Sequence, residues 1–325
     1  MKKSALIPIL VVAVLVAVGV IADAQQPGKF SRIGILFIGG RDQPNLESFK
    51  QGLRDLGYTE GKNIILEYGY AEGNQDRLGD LAAELVRKNV DVLVTTAASS
   101  AMAARKITQT IPIVVTSGKL LEMGLAKSLA NPGGNVTGLE VMESELSGKR
   151  LEILKETLPR MNRVAALWMS NERELVAGYE ETQAAAKAMS LRHYSVPVRT
   201  AGDLEPAFAE MAKARDSGFV VISSPLATLN SKRIVGLAIK HRLPGIYPTG
   251  QFVEEGGLMA YSMSIAALYR RAATYVDKIL KGAKPTDLPV ERPIKFEFIV
   301  NLKTAKQIGL TIPPNVLVRA DKVMK

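Results

Sequence analysis

Short apolar runs alternate with longer amphipathic segments along almost the whole chain. An unbroken apolar run bounded by Gly, Pro or polar residues is typical of a strand that is buried on both faces of a parallel sheet. Such runs predict strands at 33–38, 64–68, 90–95, 111–116, around 136, and at 164–169, 194–198, 219–223, 244–247, 258–262 and 296–300. Apolar residues at helical spacing predict helices at 46–56, 78–86, 101–107, 123–129, 146–158, 175–189, 204–214, 234–241 and 265–280.

Strands that alternate with helices indicate an α/β fold with parallel sheets flanked by helices. The alternation of strands and helices extends to the turn cluster at 131–135 and begins again after it, which predicts two Rossmann-like lobes. Ligands bind such sheets at the carboxyl ends of the strands, close to helix N-termini. The loops that follow the strands are therefore where we expect function to lie.

The first residues form a separate apolar segment. Lys2 and Lys3 precede an apolar run from Ala5 to Ala22, and Ala22-Asp23-Ala24 gives the small-x-small pattern of a signal peptidase site. We interpret residues 1–24 as a cleaved signal peptide, with cleavage near Ala24 and export to the periplasm. The alternative is an uncleaved anchor, because the run is near the lower limit of about 17 residues for a spanning helix.

Composition narrows the class of protein further. The chain contains no cysteine, which excludes disulfides, zinc-thiolate sites, a lipid-anchored cysteine and cysteine nucleophiles. The formal net charge is +10, but basic residues are scattered among acidic ones. A solvated basic surface explains this balance better than a nucleic-acid or membrane site, so we expect no nucleic-acid partner.

Three loops of the first lobe carry candidate ligand contacts. Gly40 and Arg41 follow the first strand, where glycine permits close backbone approach and Arg41 could pair with an anionic group. A small polar loop before the predicted helix at 101–107 offers free N–H groups and hydroxyls, although Ser99 could simply cap that helix. The candidates in the second and third loops are Ala98, Ser99, Ser100 and Ser117.

The matching loops of the second lobe contain small hydroxyl residues and one tyrosine. We expect Tyr247 to cover an apolar or aromatic part of a ligand, while core packing is the alternative for this ring. The candidates in these loops are Asn171, Ser224, Pro225, Tyr247, Ser262 and Met263.

Catalytic and cofactor motifs are missing from the sequence. His193 and His241 lie outside the predicted ligand loops, and no GxGxxG, GxSxG, HExxH or P-loop occurs. We therefore expect a protein that is not an enzyme and that holds no metal and no cofactor.

Several stretches of the chain resemble a known family. They are LGYTEGKNIILEY (56–68), AEGNQDRLGDLAAELV (71–86), TIPIVV (110–115), ANPGGNVTGL (130–139), KRLEILKETLP (149–159), FVEEGGLMAYS (252–262) and the long stretch 269–314. The chain resembles the substrate-binding proteins of ABC transporters, in the family of the tryptophan/tyrosine-type binding proteins with a type I periplasmic binding fold. The resemblance extends from about Arg32 to Lys325.

The resemblance implies two lobes joined by three crossovers with the ligand between them. The first lobe would comprise 30–138 plus 263–290, and the second 139–262 plus 291–325. Two loops depart from the family pattern: Ser117-Gly118-Lys119-Leu120 replaces S-G-D-P, and Tyr261-Ser262-Met263-Ser264 replaces Y-G-P-D. Both replace an aspartate that could receive a ligand ammonium, whereas Lys119 suits an additional acidic or electron-rich group.

The resemblance also implies a function. A monomer would capture a small organic ligand, such as an amino acid or another aromatic or carboxylate-bearing solute, and the closed form would dock on an ABC permease in the inner membrane. We expect the hinge near Gly138, Ser262 and Glu291. One alternative is a sensory domain that partners a membrane receptor or kinase. An enzyme using the same gap and a repressor core with this fold are further alternatives, disfavoured by the lack of catalytic motifs and by the signal peptide.

Overall fold

A computed structural model describes residues 30–43, 45–169, 176–213 and 217–325. The predicted signal peptide and Asn171 lie outside these residues. The strands are β1 (Ser31–Phe37), β2 (Ile64–Tyr70), β3 (Val92–Thr95), β4 (Ile113–Gly118), β5 (Val136–Glu140), β6 (Arg163–Met169), β7 (Arg192–Val198), β8 (Ser217–Val221), β9 (Gly245–Tyr247), β10 (Met259–Met263), β11 (Phe296–Asn301) and β12 (Lys322–Met324).

Most of the helices alternate with these strands. The helices are α1 (Leu46–Asp55), α2 (Leu78–Arg87), α3 (Ala98–Ile107), α4 (Glu145–Thr157), α5 (Val176–Ala188), α6 (Leu204–Ala212), α7 (Pro225–Leu229), α8 (Ser231–Lys240), α9 (Gly250–Glu254), α10 (Ile265–Leu280), α11 (Leu302–Gln307) and α12 (Pro314–Leu317). Four short helices, α7, α9, α11 and α12, are additional to the predicted ones. No helix in the described ranges is long and apolar enough to cross a membrane.

The first sheet is parallel and has the strand order β2-β1-β3-β4-β5. Successive side chains of β1 point to opposite faces, as strand geometry requires. Ile33, Ile35 and Phe37 pack with α1 and α10 on one face, while Leu36 packs with α2 and α3 on the other. Both faces are thus covered by helices, which explains why the first strand is a continuous apolar run.

The second sheet has the order β12-β11-β10-β9-β8-β6-β7. Its neighbouring strands are parallel except for β10 and β11, which pair antiparallel with Met263 opposite Phe296. The reason lies in the path of the chain. After β10 the chain crosses to the first lobe and forms α10 there. It then re-enters the second sheet at the same edge, so β11 runs antiparallel to β10. The two α/β lobes with flanked parallel sheets confirm the predicted fold class.

The chain passes between the lobes three times. It crosses after β5, between β10 and α10, and again before β11. Glu140 N–H donates to the Glu291 carbonyl (2.8 Å) and Glu291 N–H donates to the Gly138 carbonyl (3.0 Å), so the first and third crossovers are paired. Met142 N–H meets Met263 Sδ at 3.3 Å, which ties the first crossover to the second. The predicted lobe boundaries stay a prediction, but the packing of α10 against α1 agrees with them.

One predicted helix is wrong. Residues 123–129 form turns instead, because Gly124 takes a φ of +62° and the N–H groups of Leu125 and Ala126 both donate to the Leu120 carbonyl. Two apolar residues of this segment still reach the core, since Leu125 and Ala126 are buried against the α2–α3 face of the first sheet, whereas Met123 is exposed. Helical spacing in this short segment therefore predicted only part of the burial and predicted the conformation incorrectly.

Candidate functional site

The carboxyl ends of both sheets face the crossovers. β5 ends at Glu140 and β10 ends at Met263, and each strand leads directly into a crossover to the other lobe. In a parallel sheet the loops after the other strands share that edge. The loops after β1, β3 and β4 of the first lobe and after β8 and β9 of the second therefore border the gap between the lobes.

A bulge shapes the loop after β4. The pairing of β4 with β5 shifts between Val115 and Gly118, so Thr116 and Ser117 lie outside the regular ladder. Gly138 on β5 makes this possible, because its φ is +140° and a Cβ atom there would lie 2.2 Å from the Val115 carbonyl oxygen. The displaced Ser117 hydroxyl donates to the Thr96 carbonyl at 3.2 Å, which joins the loops after β3 and β4.

The ends of β3 and β4, the loops after them and the start of α3 carry five hydroxyl residues, which we call the hydroxyl cluster: Thr95, Thr96, Ser100, Thr116 and Ser117. Thr95 and Ser100 are fully buried, and their hydroxyl oxygens have no hydrogen-bond partner among the described residues. Tyr269 of α10 reaches the cluster: burial raises the pKa of its phenol, while its interaction with Thr116 and Thr96 acts in the opposite direction. A buried hydroxyl without a partner costs free energy, so a polar ligand group at this edge would be stabilising.

The other first-lobe candidates lie at the rim. The Arg41 side chain is exposed and its guanidinium lies 5.7 Å from the centre of the Tyr70 ring, which stacks on Phe37 at 5.1 Å. Glu72 approaches Gly40 so closely that a Cβ atom at residue 40 would lie 2.5 Å from the Glu72 carboxylate. Ala98 and Ser99 begin α3 and are half-buried. Sequence reasoning missed Tyr70 and Glu72. The rule that the site lies at the ends of strands could have found them, because Tyr70 ends β2 and Glu72 follows it.

The second-lobe candidates differ in their burial and in their hydrogen-bond partners. The Ser224 hydroxyl caps α7 by accepting from Ala227 N–H at 3.0 Å, and Pro225 occupies the first turn of that helix. Ser262 is half-buried at the end of β10, and Met263 is buried at the second crossover. These residues lie at the predicted edge, but the Ser224 oxygen already has a structural partner.

Tyr247 lies in the core of the second lobe rather than in the gap. Its side chain is 1 % exposed, stacks on Phe252 at 5.1 Å and meets the edge of Phe219 at 5.7 Å. Burial alone raises the pKa of its phenol far above the ordinary value. The expected stacking of this ring on a ligand is therefore replaced by core packing.

Sequence reasoning also missed a buried arginine next to the first crossover. Arg150 is 0 % exposed, and its Nη2 lies 2.6 Å from Glu143 Oε1, an ion pair by distance although it lacks hydrogen-bond geometry. Nε donates to the Tyr261 carbonyl (2.8 Å) and Nη2 to the Pro248 carbonyl (3.1 Å), so Arg150 fixes the ends of β9 and β10. The sequence around Lys149 and Arg150 does not indicate that one of these two adjacent basic residues is buried.

A small cavity of about 60 Å³ bridges the two lobes beside this arginine. We call it the Lys119 cavity, and its lining residues are Lys119, Glu143, Ser144, Ser147, Gly178, Ile222 and Ser223. Two larger grooves, of about 620 and 720 Å³, lie between α10 and the third crossover and beside the turns at 124–136. The first adjoins the ends of β5 and β10 through Leu139 and Ser264, but neither groove is lined by the residues that directly follow β1, β3, β4, β8 or β9. We therefore place the candidate site at the hydroxyl cluster and the Lys119 cavity.

Comparisons of the sequence with known proteins find related chains. A family model described as ABC transporter substrate binding protein matches residues 40–324. A tyrosine-binding protein of Clostridioides difficile (strain R20291) is 26 % identical over 275 residues, which cover 83 % of this chain and 79 % of that protein.

Solved structures share the fold. An ABC domain from Streptococcus pneumonia in complex with L-Trp is 25 % identical with a TM-score of 0.74, and the match covers 90 % of this chain and 99 % of that one. A ligand-free, open substrate-binding protein with adhesive properties from Clostridium difficile is 22 % identical with a TM-score of 0.79, covering 91 % and 99 % of the two chains.

Proposed function

Since this chain belongs to the ABC transporter substrate-binding protein family, we propose that it captures an amino acid or another aromatic or carboxylate-bearing solute between its lobes. The protein is a solute-binding component of an ABC transporter and not an enzyme. Its partner in this proposal is an ABC permease in the inner membrane, which receives the solute from the closed form. The family match favours transport over the sensory role.

The observation that carries the proposed ligand class is the hydroxyl cluster. Buried, unpartnered hydroxyls at Thr95 and Ser100 and the N-terminus of α3 offer donors to a ligand carboxylate. The relatives that bind L-Trp and tyrosine support an aromatic amino acid as the first ligands to test.

Closure about the crossovers would enclose this ligand. A solute that touches both lobes favours the closed state only through contacts that the open state lacks. The paired backbone of the first and third crossovers, with Gly138 and Glu291 at its centre, is where we propose that the bending occurs.

The proposed site of action is the periplasm. Residues 1–24 carry the features of a secretory signal, so the mature protein would begin near Gln25. N-terminal sequencing of protein from a periplasmic extract tests this step, and a chain that keeps Met1 would contradict it.

Isothermal titration of the chain from Gln25 onward with L-Tyr, L-Trp and L-Phe tests the ligand class. Ser99→Ala and Ser100→Ala should each weaken binding by about 1–3 kcal/mol, because each removes a hydroxyl donor at the N-terminus of α3. Thr311→Ala, on an exposed residue beyond α11, is the control and should leave the affinity unchanged. Unchanged affinity in both serine variants would remove the hydroxyls at the N-terminus of α3 from the proposed site.

A further inference from the structure

The Lys119 cavity has room for one functional group of a solute. Its volume is about 60 Å³, and a single water molecule needs about 10–15 Å³ of such volume. A carboxylate therefore fits into it. Both lobes contribute to its wall, since Lys119 follows β4 of the first lobe and Ser223 follows β8 of the second.

The carboxylate of this cavity is already neutralised. Glu143 is paired at 2.6 Å with Arg150, a side chain without solvent exposure that two backbone carbonyls also hold in place. A charge pair with a buried partner is costly to break, because the arginine would be left without its counter-charge. Glu143 is thus poorly placed to receive a cationic ligand group.

The ammonium of this cavity is held far more weakly. Lys119 Nζ lies 2.9 Å from Glu122, and the side chains are 31 % and 52 % exposed. Solvated pairs of this kind contribute little, because water and salt screen them and both side chains lose freedom. Lys119 can exchange Glu122 for a ligand anion at low cost.

Hydroxyl groups add donors beside the ammonium. Ser144, Ser147 and Ser223 line the cavity, and Ser147 is 1 % exposed. A lysine with several serine hydroxyls provides charge-assisted and neutral hydrogen bonds to the same anion.

We propose that the Lys119 cavity is a subsite for an anionic group of the solute, so that the preferred ligand is an amino acid with an acidic side chain, aromatic or aliphatic. This inference rests on the proposed binding function. It adds that Lys119 determines specificity, by selecting a second anionic group besides the one at the hydroxyl cluster.

Matched acid and amide ligands test the proposal. The probes are L-aspartate with L-asparagine, L-glutamate with L-glutamine, and 4-carboxy-L-phenylalanine with its 4-carboxamide, each titrated into the chain from Gln25 onward. In at least one pair the acid should bind about tenfold or more tightly than the amide, as expected for a charge-assisted hydrogen bond. Lys119→Gln should abolish this preference, whereas Lys119→Arg should keep it.

Glu122→Gln is the matched control, because it removes the solvent-side partner of Lys119 and leaves the lysine in place. It should keep or increase the preference for the acid. Thermal unfolding of each variant verifies that the fold is retained.

The outcomes separate the two proposals. Binding of L-Tyr or L-Trp without discrimination in any acid–amide pair would overturn the anionic subsite and leave the binding function standing. An acid preference that survives Lys119→Gln would overturn the role of Lys119. If no probe and no aromatic amino acid binds, the proposed ligand class fails together with the subsite.

Discussion

At the scale of single residues, Gly138 controls how closely β4 and β5 approach. Its φ of +140° is a backbone conformation that residues other than glycine rarely adopt, and a Cβ atom at this position would overlap the Val115 backbone. We expect Gly138→Ala to destabilise the protein by about 3 kcal/mol or more, since strain and overlap add. Urea unfolding measures the change.

Gly236 provides the control for that substitution. It lies inside α8, and a Cβ atom there would meet no atom within 4 Å. Gly236→Ala should stabilise the protein by about 0.4–1 kcal/mol, because alanine loses less backbone entropy in a helix. Equal effects of the two substitutions would contradict the close-approach argument.

Tyr58 joins the loop after α1 to α10 through a single hydrogen bond. Its hydroxyl donates to Asp277 Oδ1 at 2.9 Å, and burial followed by this bond raises the pKa of the phenol to about 12. The folded state therefore binds the proton more tightly than the unfolded state, whose tyrosines titrate near 10. The stabilisation is fully present below pH 10 and is lost as the pH rises through about 12.

Ultraviolet titration of tyrosinate tests this shift. Subtracting the titration curve of Tyr58→Phe from that of the unmodified protein should leave the absorbance change of one tyrosine, with a midpoint near pH 12. In denaturant the midpoint of this difference curve should fall to about pH 10. A midpoint near 10 in the folded protein would show that the hydrogen bond to Asp277 is absent in solution.

At the scale of elements, apolar periodicity predicted most strands and helices because burial on one or both faces leaves a regular pattern. The helix 265–280 coincides with α10, whose apolar face packs on α1. The pattern failed where contacts from elsewhere decide the outcome. Residues 123–129 turn because of backbone bonds to Leu120, and β12 is a three-residue strand that exists only through its pairing with β11.

The candidate site was less predictable than the elements. The rule that strand ends carry the site led to Ser99, Ser100 and Ser117, which lie at the start of α3 and at the end of β4, and their contact with a ligand stays a prediction. It could not decide which way a strand-end side chain points: Tyr247 turns into the core. Nor could it find Arg150, because one buried arginine among the polar residues of a helix has the same sequence signature as an exposed one.

The third crossover is tied to α10 by an ion pair. Arg271 donates to Glu291 through Nε (2.8 Å) and Nη2 (2.7 Å), and this pairing lowers the pKa of the Glu291 carboxyl. A lowered pKa means that the stabilisation is present above the ordinary value of 4.5 and is lost as the pH falls through the folded-state pKa. Glu291→Gln should therefore loosen the crossover at neutral pH and have little effect in acid.

Amide hydrogen exchange measures that loosening. In Glu291→Gln, exchange at the amides of Glu140 and Glu291 should be faster than in the unmodified protein, since both amides donate across the paired crossovers. Glu152→Gln removes a solvated pair with Lys149 on α4 and should change neither amide. Unchanged protection in Glu291→Gln would assign the crossover pairing to the backbone alone.

At the scale of the whole molecule, the arrangement predicts that the lobes approach each other when a solute binds. The chain has no cysteine, so introduced cysteines report this motion without interference. Lys119 and Ser223 line one cavity from opposite lobes, whereas Gln109 and Lys284 line a groove within the first lobe. A disulfide forms when two Cα atoms come within about 4.4–6.8 Å of each other.

Oxidation rates of the two cysteine pairs therefore separate closure from local motion. Because Lys119 is itself a proposed ligand contact, the ligand is used at a concentration that saturates the Lys119→Cys/Ser223→Cys variant, as verified by titration. Saturating L-Tyr or the best acidic probe should accelerate cross-linking of this pair several-fold, since the bound solute raises the population in which the lobes are close. The Gln109→Cys/Lys284→Cys pair should be insensitive, because both residues line one groove that lies away from the crossovers. A ligand that binds fully yet leaves both rates unchanged would mean that the solute is held without closure about the crossovers.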